Sequence, residues 1–291
     1  MSATRREWLV GAASAVGALA VSPSVRTLLA ADKRSGPLFG MCDWSIGRLE
    51  PSVFELARQI GLDGIEVSLG TRENNMWLRR KDVRDKYLDA ARANHMRIPS
   101  LALGELNQVG LMNEPRAALW VADAIEAARE MKVDRMLLAF FGPKGELKAS
   151  NAEDMRRVIE VLGELAPRAE KAGVFLGIES YLSADDHLKI LDAVKSKAIK
   201  VYFDVKNMAH AGHDPIAALK TLGADRICQI HFKDRPYLEK GSGDVDWPAV
   251  VAAIEEIRYS GWIVLETPSP TKDIVADTRK NLAYARKLFG G

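Results

Sequence analysis

Short apolar runs recur along the chain at 38–42, 64–68, 98–103, 136–141, 174–179, 200–204, 227–232 and 263–266. Continuous runs of this length suit strands buried on both faces of a parallel sheet. Between them, apolar residues recur at helical spacing. One such stretch covers 53–59 and ends at Gly61, and another covers 81–94. A third covers 116–131, where Leu119, Ala122, Ile125 and Ala128 share a face. A longer stretch can be capped by Asn151 and stopped by Gly173. Pro215, Pro248 and Asp273 each stand where a further helix should begin. Eight strands alternate strictly with eight helices, at about 32 residues per unit. That pattern predicts an α/β fold: a single-domain (β/α)₈ TIM barrel. A doubly wound open sheet would carry a Gly-rich phosphate loop after its first strand, and Gly40-Met41-Cys42-Asp43 is not one.

Residues 1–31 read differently. Arg5 and Arg6 precede Trp8-Leu9 and an apolar, small-residue stretch over 10–21, and the segment closes on Leu29-Ala30-Ala31. A charged start, an apolar middle and an alanine-rich end make a signal peptide. The paired arginines resemble a twin-arginine signal, which predicts export, with the periplasm as destination. The apolar stretch is too short to span a bilayer, so no stable membrane span is expected once the leader is removed. Residues 32–291 then form the barrel.

Composition narrows the function classes. The 291-residue chain is 47% hydrophobic with a net charge of +2, and its charges of both signs are interleaved. Without a basic run or tail, nucleic acid is not an expected partner. Cys42 and Cys228 sit among apolar neighbours in predicted strands, which suggests buried free thiols. No CxxC pair points to a structural zinc site.

The chemistry gathers at the ends of the last four predicted strands. Glu179 ends the fifth, Asp204 the sixth, His231 the seventh and Glu266 the eighth. Neighbouring strand ends of a barrel converge on the C-terminal mouth, where active sites of this fold lie. Three carboxylates and an imidazole form a hard ligand set suited to one divalent ion, Mn²⁺ or Mg²⁺ first, with Co²⁺ or Zn²⁺ as alternatives. Without a cation, the clustered carboxylates would repel one another. Taken singly, each acidic residue could be a helix cap or a loop solvator. Four at consecutive strand ends are harder to explain that way.

The segments Gly177-Ile178-Glu179-Ser180, Tyr202-Phe203-Asp204-Val205-Lys206-Asn207, Ile230-His231-Phe232-Lys233-Asp234, 241–247 and Val264-Leu265-Glu266-Thr267 resemble the xylose isomerase-like superfamily. More narrowly, they are similar to its sugar phosphate isomerase/epimerase branch, which includes ketose 3-epimerases and inosose dehydratases. The resemblance covers roughly residues 37–290. It implies a metal bound by Glu179, Asp204, His231 and Glu266, with Glu179 and Glu266 also moving protons. It further implies a sugar isomerase or epimerase that abstracts a proton next to a carbonyl of a ketose-like substrate. Two alternatives stand beside this reading. One is a metal-dependent lyase or dehydratase acting on keto-sugars, inososes or 3-keto-glycosides. The other is a non-catalytic sugar-binding barrel, against which the complete ligand set speaks. The abasic-site endonucleases that share the barrel need extra histidines where this chain has Glu66 and Asn207.

Lys233, Arg235, Asn207, Glu66 and Trp44 are the candidate contacts to a small carbohydrate substrate, each with a loop or rim role as its structural alternative. Trp77 could stack on a sugar face, and Phe140 and Phe141 would serve as wall. His210 and His213 suit surface or capping roles, and His95 and His187 suit helix faces with no metal-ligand partner nearby. Homo-oligomerisation is left open.

Overall fold

The computed structural model describes residues 36–239 and 241–290, so the leader read in 1–31 lies outside the described residues. The strands are β1 (Phe39–Cys42), β2 (Gly64–Ser68), β3 (Leu101–Leu103), β4 (Arg135–Phe140), β5 (Phe175–Ser180), β6 (Ile199–Asp204), β7 (Ile227–Phe232) and β8 (Ile263–Leu265). Each pairs in parallel with the next, and β8 pairs with β1, closing an eight-stranded barrel. The helices that follow them are α1 (Val53–Ile60), α2 (Lys81–Ala93), α3 (Pro115–Met131), α4 (Ala152–Ala172), α5 (Ala184–Val194), α6 (Pro215–Leu222), α7 (Trp247–Glu256) and α8 (Ile274–Leu288). No described helix is long and apolar enough to cross a membrane.

Local chemistry sets these boundaries. Asn151 Oδ1 accepts from Asp154 N and starts α4, and Gly173, at φ 68°, stops it in the left-handed region. Asp246 and Asp273 cap α7 and α8 in the same way. β3 begins three residues later than the apolar run suggested. Pro99 has no N–H for the ladder, and Arg97 holds only an isolated bridge to Gly64. β8 stops at Leu265, yet Glu266 N still donates to Phe232 O at 2.9 Å, which holds Glu266 at the strand's end.

Both cysteines are buried and free. At Gly177, an added Cβ would lie 2.6 Å from Cys228 Sγ and 2.9 Å from Tyr202 Cβ. The missing side chain lets β5 pack against its neighbours and places Glu179 two residues further on. A register shift between Val201 and Tyr202 lets Asp204 pair with His231 across β6 and β7.

Candidate metal centre

The four strand-end residues meet. Glu179, Asp204, His231 and Glu266 each offer a ligand atom, and these atoms all lie within 4.8 Å of one another. His231 Nδ1 is 3.3 Å from Glu179 Oε1, 3.5 Å from Glu266 Oε2 and 3.8 Å from Asp204 Oδ2. Asp204 divides its oxygens between two tasks. Oδ1 accepts from Asn207 N at 2.6 Å and caps the helical turn Val205–His210. Oδ2 is buried and has no hydrogen-bond partner.

Burial pushes the Asp204 carboxyl well above its ordinary range, and the Lys233 ammonium only partly opposes this. Burial also raises Glu179. At Glu266 burial pulls the same way, but His231 and Lys233 outweigh it and hold that carboxylate below its usual value. A divalent cation would give Asp204 Oδ2 the partner it lacks and would offset the crowding of three carboxylates. The donor set therefore fits the ion expected from the sequence.

Three of the five expected substrate contacts border the same cavity. Trp44 Nε1 donates to Glu266 Oε1 at 3.1 Å, and Lys233 Nζ to Glu266 Oε2 at 2.9 Å. Asn207 Nδ2 donates to Glu179 Oε1 at 3.2 Å. The other two lie elsewhere. Glu66 is 0% exposed and does not line the cavity. Its Oε2 lies beneath the centre, 2.8 Å from His231 Nε2, where Tyr202 OH donates to it at 2.9 Å and Cys42 Sγ at 3.4 Å. Arg235 is exposed and lies outside the cavity lining. Its neighbour Asp234 is anchored inward by Trp247 Nε1 at 3.2 Å, and the chain turns outward after it.

The cavity above the centre has a volume of about 550 Å³. Its wall includes Trp77, Phe141, Tyr181, Glu105 and Asn107. Tyr181, Glu105 and Asn107 were missed in the sequence, although each lies just beyond a predicted strand end. Phe140 is buried behind the wall. His213 Nε2 lies 3.2 Å from Tyr181 O, and the His210 ring packs on Tyr181 at 5.6 Å between centroids. His187 does have partners. It is buried, with Nδ1 2.9 Å from Ser183 O and Nε2 3.0 Å from Ser180 Oγ.

Comparison with known proteins agrees with the barrel fold. D-psicose 3-epimerase of Enterocloster bolteae is 26% identical over 121 residues, which are 39% of this chain and 40% of that protein. The match to this relative thus spans less than half of its length. The 2-epi-5-epi-valiolone 7-phosphate 2-epimerase of an Actinoplanes species is 24% identical over 198 residues, 68% of this chain and 72% of that one. The crystal structure of D-psicose 3-epimerase with D-tagatose from Clostridium cellulolyticum H10 superposes with a TM-score of 0.71 at 16% identity. That superposition covers 87% of this chain and 99% of the other, and it shows the fold alone. The family described as the xylose isomerase-like TIM barrel matches residues 54–288, and the chain belongs to that family.

Proposed function

We propose that this chain is a divalent-metal-dependent sugar isomerase or epimerase that abstracts a proton next to the carbonyl of a ketose-like substrate. The observation that carries the reading is the buried, partnerless Asp204 Oδ2 inside a four-residue ligand set that borders a substrate-sized cavity. Glu179, Asp204, His231 and Glu266 would hold the ion. When bound, it supplies a Lewis acid that polarises a carbonyl and an adjacent hydroxyl.

The remaining work falls to side chains. Trp44 and Lys233 hold Glu266 as an oriented carboxylate able to take a proton from carbon. Asn207 orients Glu179, the second carboxyl at the cavity floor. One carboxylate removing a proton and the other returning it inverts a carbon centre. Return of the proton to the neighbouring carbon isomerises the sugar instead. Lys233 is the one cationic residue in the cavity wall among the described residues, and it is paired with Glu266. That favours an unphosphorylated substrate. The leader supports a periplasmic enzyme.

The test is solvent exchange. In deuterated water with Mn²⁺, free ketoses should take up label at the carbon beside the carbonyl, and EDTA should stop the uptake. Glu179→Gln and Glu266→Gln should each slow it by about 10²–10⁴-fold with the fold intact. Full activity in either variant would sink its proton-transfer role. Release of a leaving group from a 3-keto-glycoside, without epimer formation, would identify the lyase instead.

A further inference from the structure

Beneath the centre, away from the cavity, lies a polar network with no access to solvent. Gln229 Nε2 donates to Ser100 Oγ at 2.6 Å and also to the Tyr202 hydroxyl oxygen. That leaves the Tyr202 hydrogen free for Glu66 Oε2, at 2.9 Å. The Cys42 thiol lies 3.4 Å from the same oxygen and 3.5 Å from His231 Nε2, and His231 Nε2 lies 2.8 Å from that oxygen. Glu66, Tyr202, Gln229 and His231 are all at most 1% exposed, so water cannot substitute for any of these contacts.

A carboxylate oxygen that takes the Tyr202 phenol hydrogen is acting as an acceptor. The nitrogen facing it at hydrogen-bond distance must then be a donor. The two imidazole nitrogens are linked: a neutral ring with its hydrogen on Nε2 has a lone pair on Nδ1. Nδ1 is the atom that faces Glu179, Asp204 and Glu266. The opposite tautomer would spend the Nδ1 hydrogen on a carboxylate and turn its lone pair towards Glu66 and Cys42, leaving none on Nδ1 for an ion held by Glu179, Asp204 and Glu266.

We infer that Glu66 is a positioning residue: by accepting the Nε2 hydrogen of His231, it fixes the ring orientation and the tautomer that presents Nδ1 to the metal centre. This rests on the metal-dependent reading above for its consequence, but not for its first test. A carboxylate behind a metal-binding histidine typically sets affinity, and its loss costs about 10–100-fold.

The first measurement needs no metal. Long-range ¹H–¹⁵N spectra of metal-free protein labelled with ¹⁵N-histidine should show a hydrogen on His231 Nε2. A bare Nε2 with the hydrogen on Nδ1 overturns the proposal. The second measurement is Mn²⁺ binding to metal-stripped protein, followed by the free-ion EPR signal. Glu66→Leu should weaken binding by about 10–100-fold. Glu66→Gln keeps the shape and a neutral acceptor, so its affinity should fall between those of Glu66→Leu and the wild type. It also serves if the leucine variant fails to fold. Tyr202→Phe removes another donor to the same oxygen and controls for loosening of the core, so it should bind Mn²⁺ more tightly than Glu66→Leu. Wild-type affinity in Glu66→Gln, or equal losses in Tyr202→Phe and Glu66→Leu, overturns the proposal. If wild-type protein binds no divalent ion while Nε2 carries its hydrogen, the positioning role stands and the metal-dependent reading fails.

Discussion

Replacing Asp204 with asparagine should stabilise the metal-free protein and destabilise the metal-loaded one relative to wild type. Asp204 Oδ2 is buried without a hydrogen bond, and its neighbours His231 Nδ1 and Lys233 Nζ are each 3.8 Å away. A buried polar atom left without a partner costs about 1–3 kcal/mol, and more when it is charged. Asparagine keeps the Oδ1 that accepts from Asn207 N, and it replaces the stranded oxygen with a neutral donor facing carboxylates. Metal-free Asp204→Asn should therefore gain about 1–3 kcal/mol. For a domain of this size that raises Tm by roughly 2–12 °C. Mn²⁺ at a thousandfold excess over its Kd should stabilise wild type by about 4 kcal/mol and the variant by much less, since it has lost an anionic ligand. The order of the two proteins should then reverse. Thermal unfolding followed by circular dichroism, in EDTA and in excess MnCl₂ at one scan rate, reads both signs. A variant less stable than wild type in EDTA, or midpoints that Mn²⁺ raises equally, would refute the reasoning.

Three further outcomes are expected. Lys233→Met frees Glu266 from its 2.9 Å anchor, and solvent exchange at substrate carbon should slow by about 10²-fold while circular dichroism stays unchanged. Gly177→Ala drives a methyl into Cys228 and Tyr202, and denaturant titration should show a loss of about 1–3 kcal/mol; an unchanged midpoint would mean that β5 can shift freely. Burial holds the His187 imidazole down at about 4, against 6.5 for the unfolded chain. The unfolded chain thus takes up this proton first, and the stability contributed by neutral His187 is full above pH 6.5 and lost as pH falls towards 4. The loss should reach about 3 kcal/mol. Asp43, raised by burial to about 7, titrates with the opposite sign over an overlapping range. The difference between wild type and His187→Asn, rather than either raw curve, should therefore carry the slope, and a flat difference would contradict it.

The strands were legible because each is a nearly unbroken apolar run, and the four clustered residues because each is a polar group at or next to the end of such a run. Asp204 closes β6, and Glu179 and His231 are the last residues but one of β5 and β7, each a polar group after a buried apolar stretch. Glu66 has the same local look, yet it belongs to the layer below. Periodicity marks which residues face the barrel axis but not how far along that axis each one sits, and strand tilt decides the depth. Gln229 and Ser100 escaped notice for a related reason: a buried amide or hydroxyl carries no sequence mark of its partners. Arg235 follows a ligand-bearing strand as closely as a substrate contact would. Only the anchoring of Asp234 by Trp247, 13 positions further on, shows where the chain turns away.

All four residues that could hold an ion come from one arc of the ring, β5 to β8, while Trp77, Glu105, Asn107 and Phe141 arrive on connections that follow β2, β3 and β4. The clustered residues are thus confined to the second half of the barrel, while much of the cavity wall comes from the first. Exchange of the three early connections should reshape the cavity wall without disturbing that cluster, so a library confined to those segments is a sensible starting point for changing what the cavity accepts.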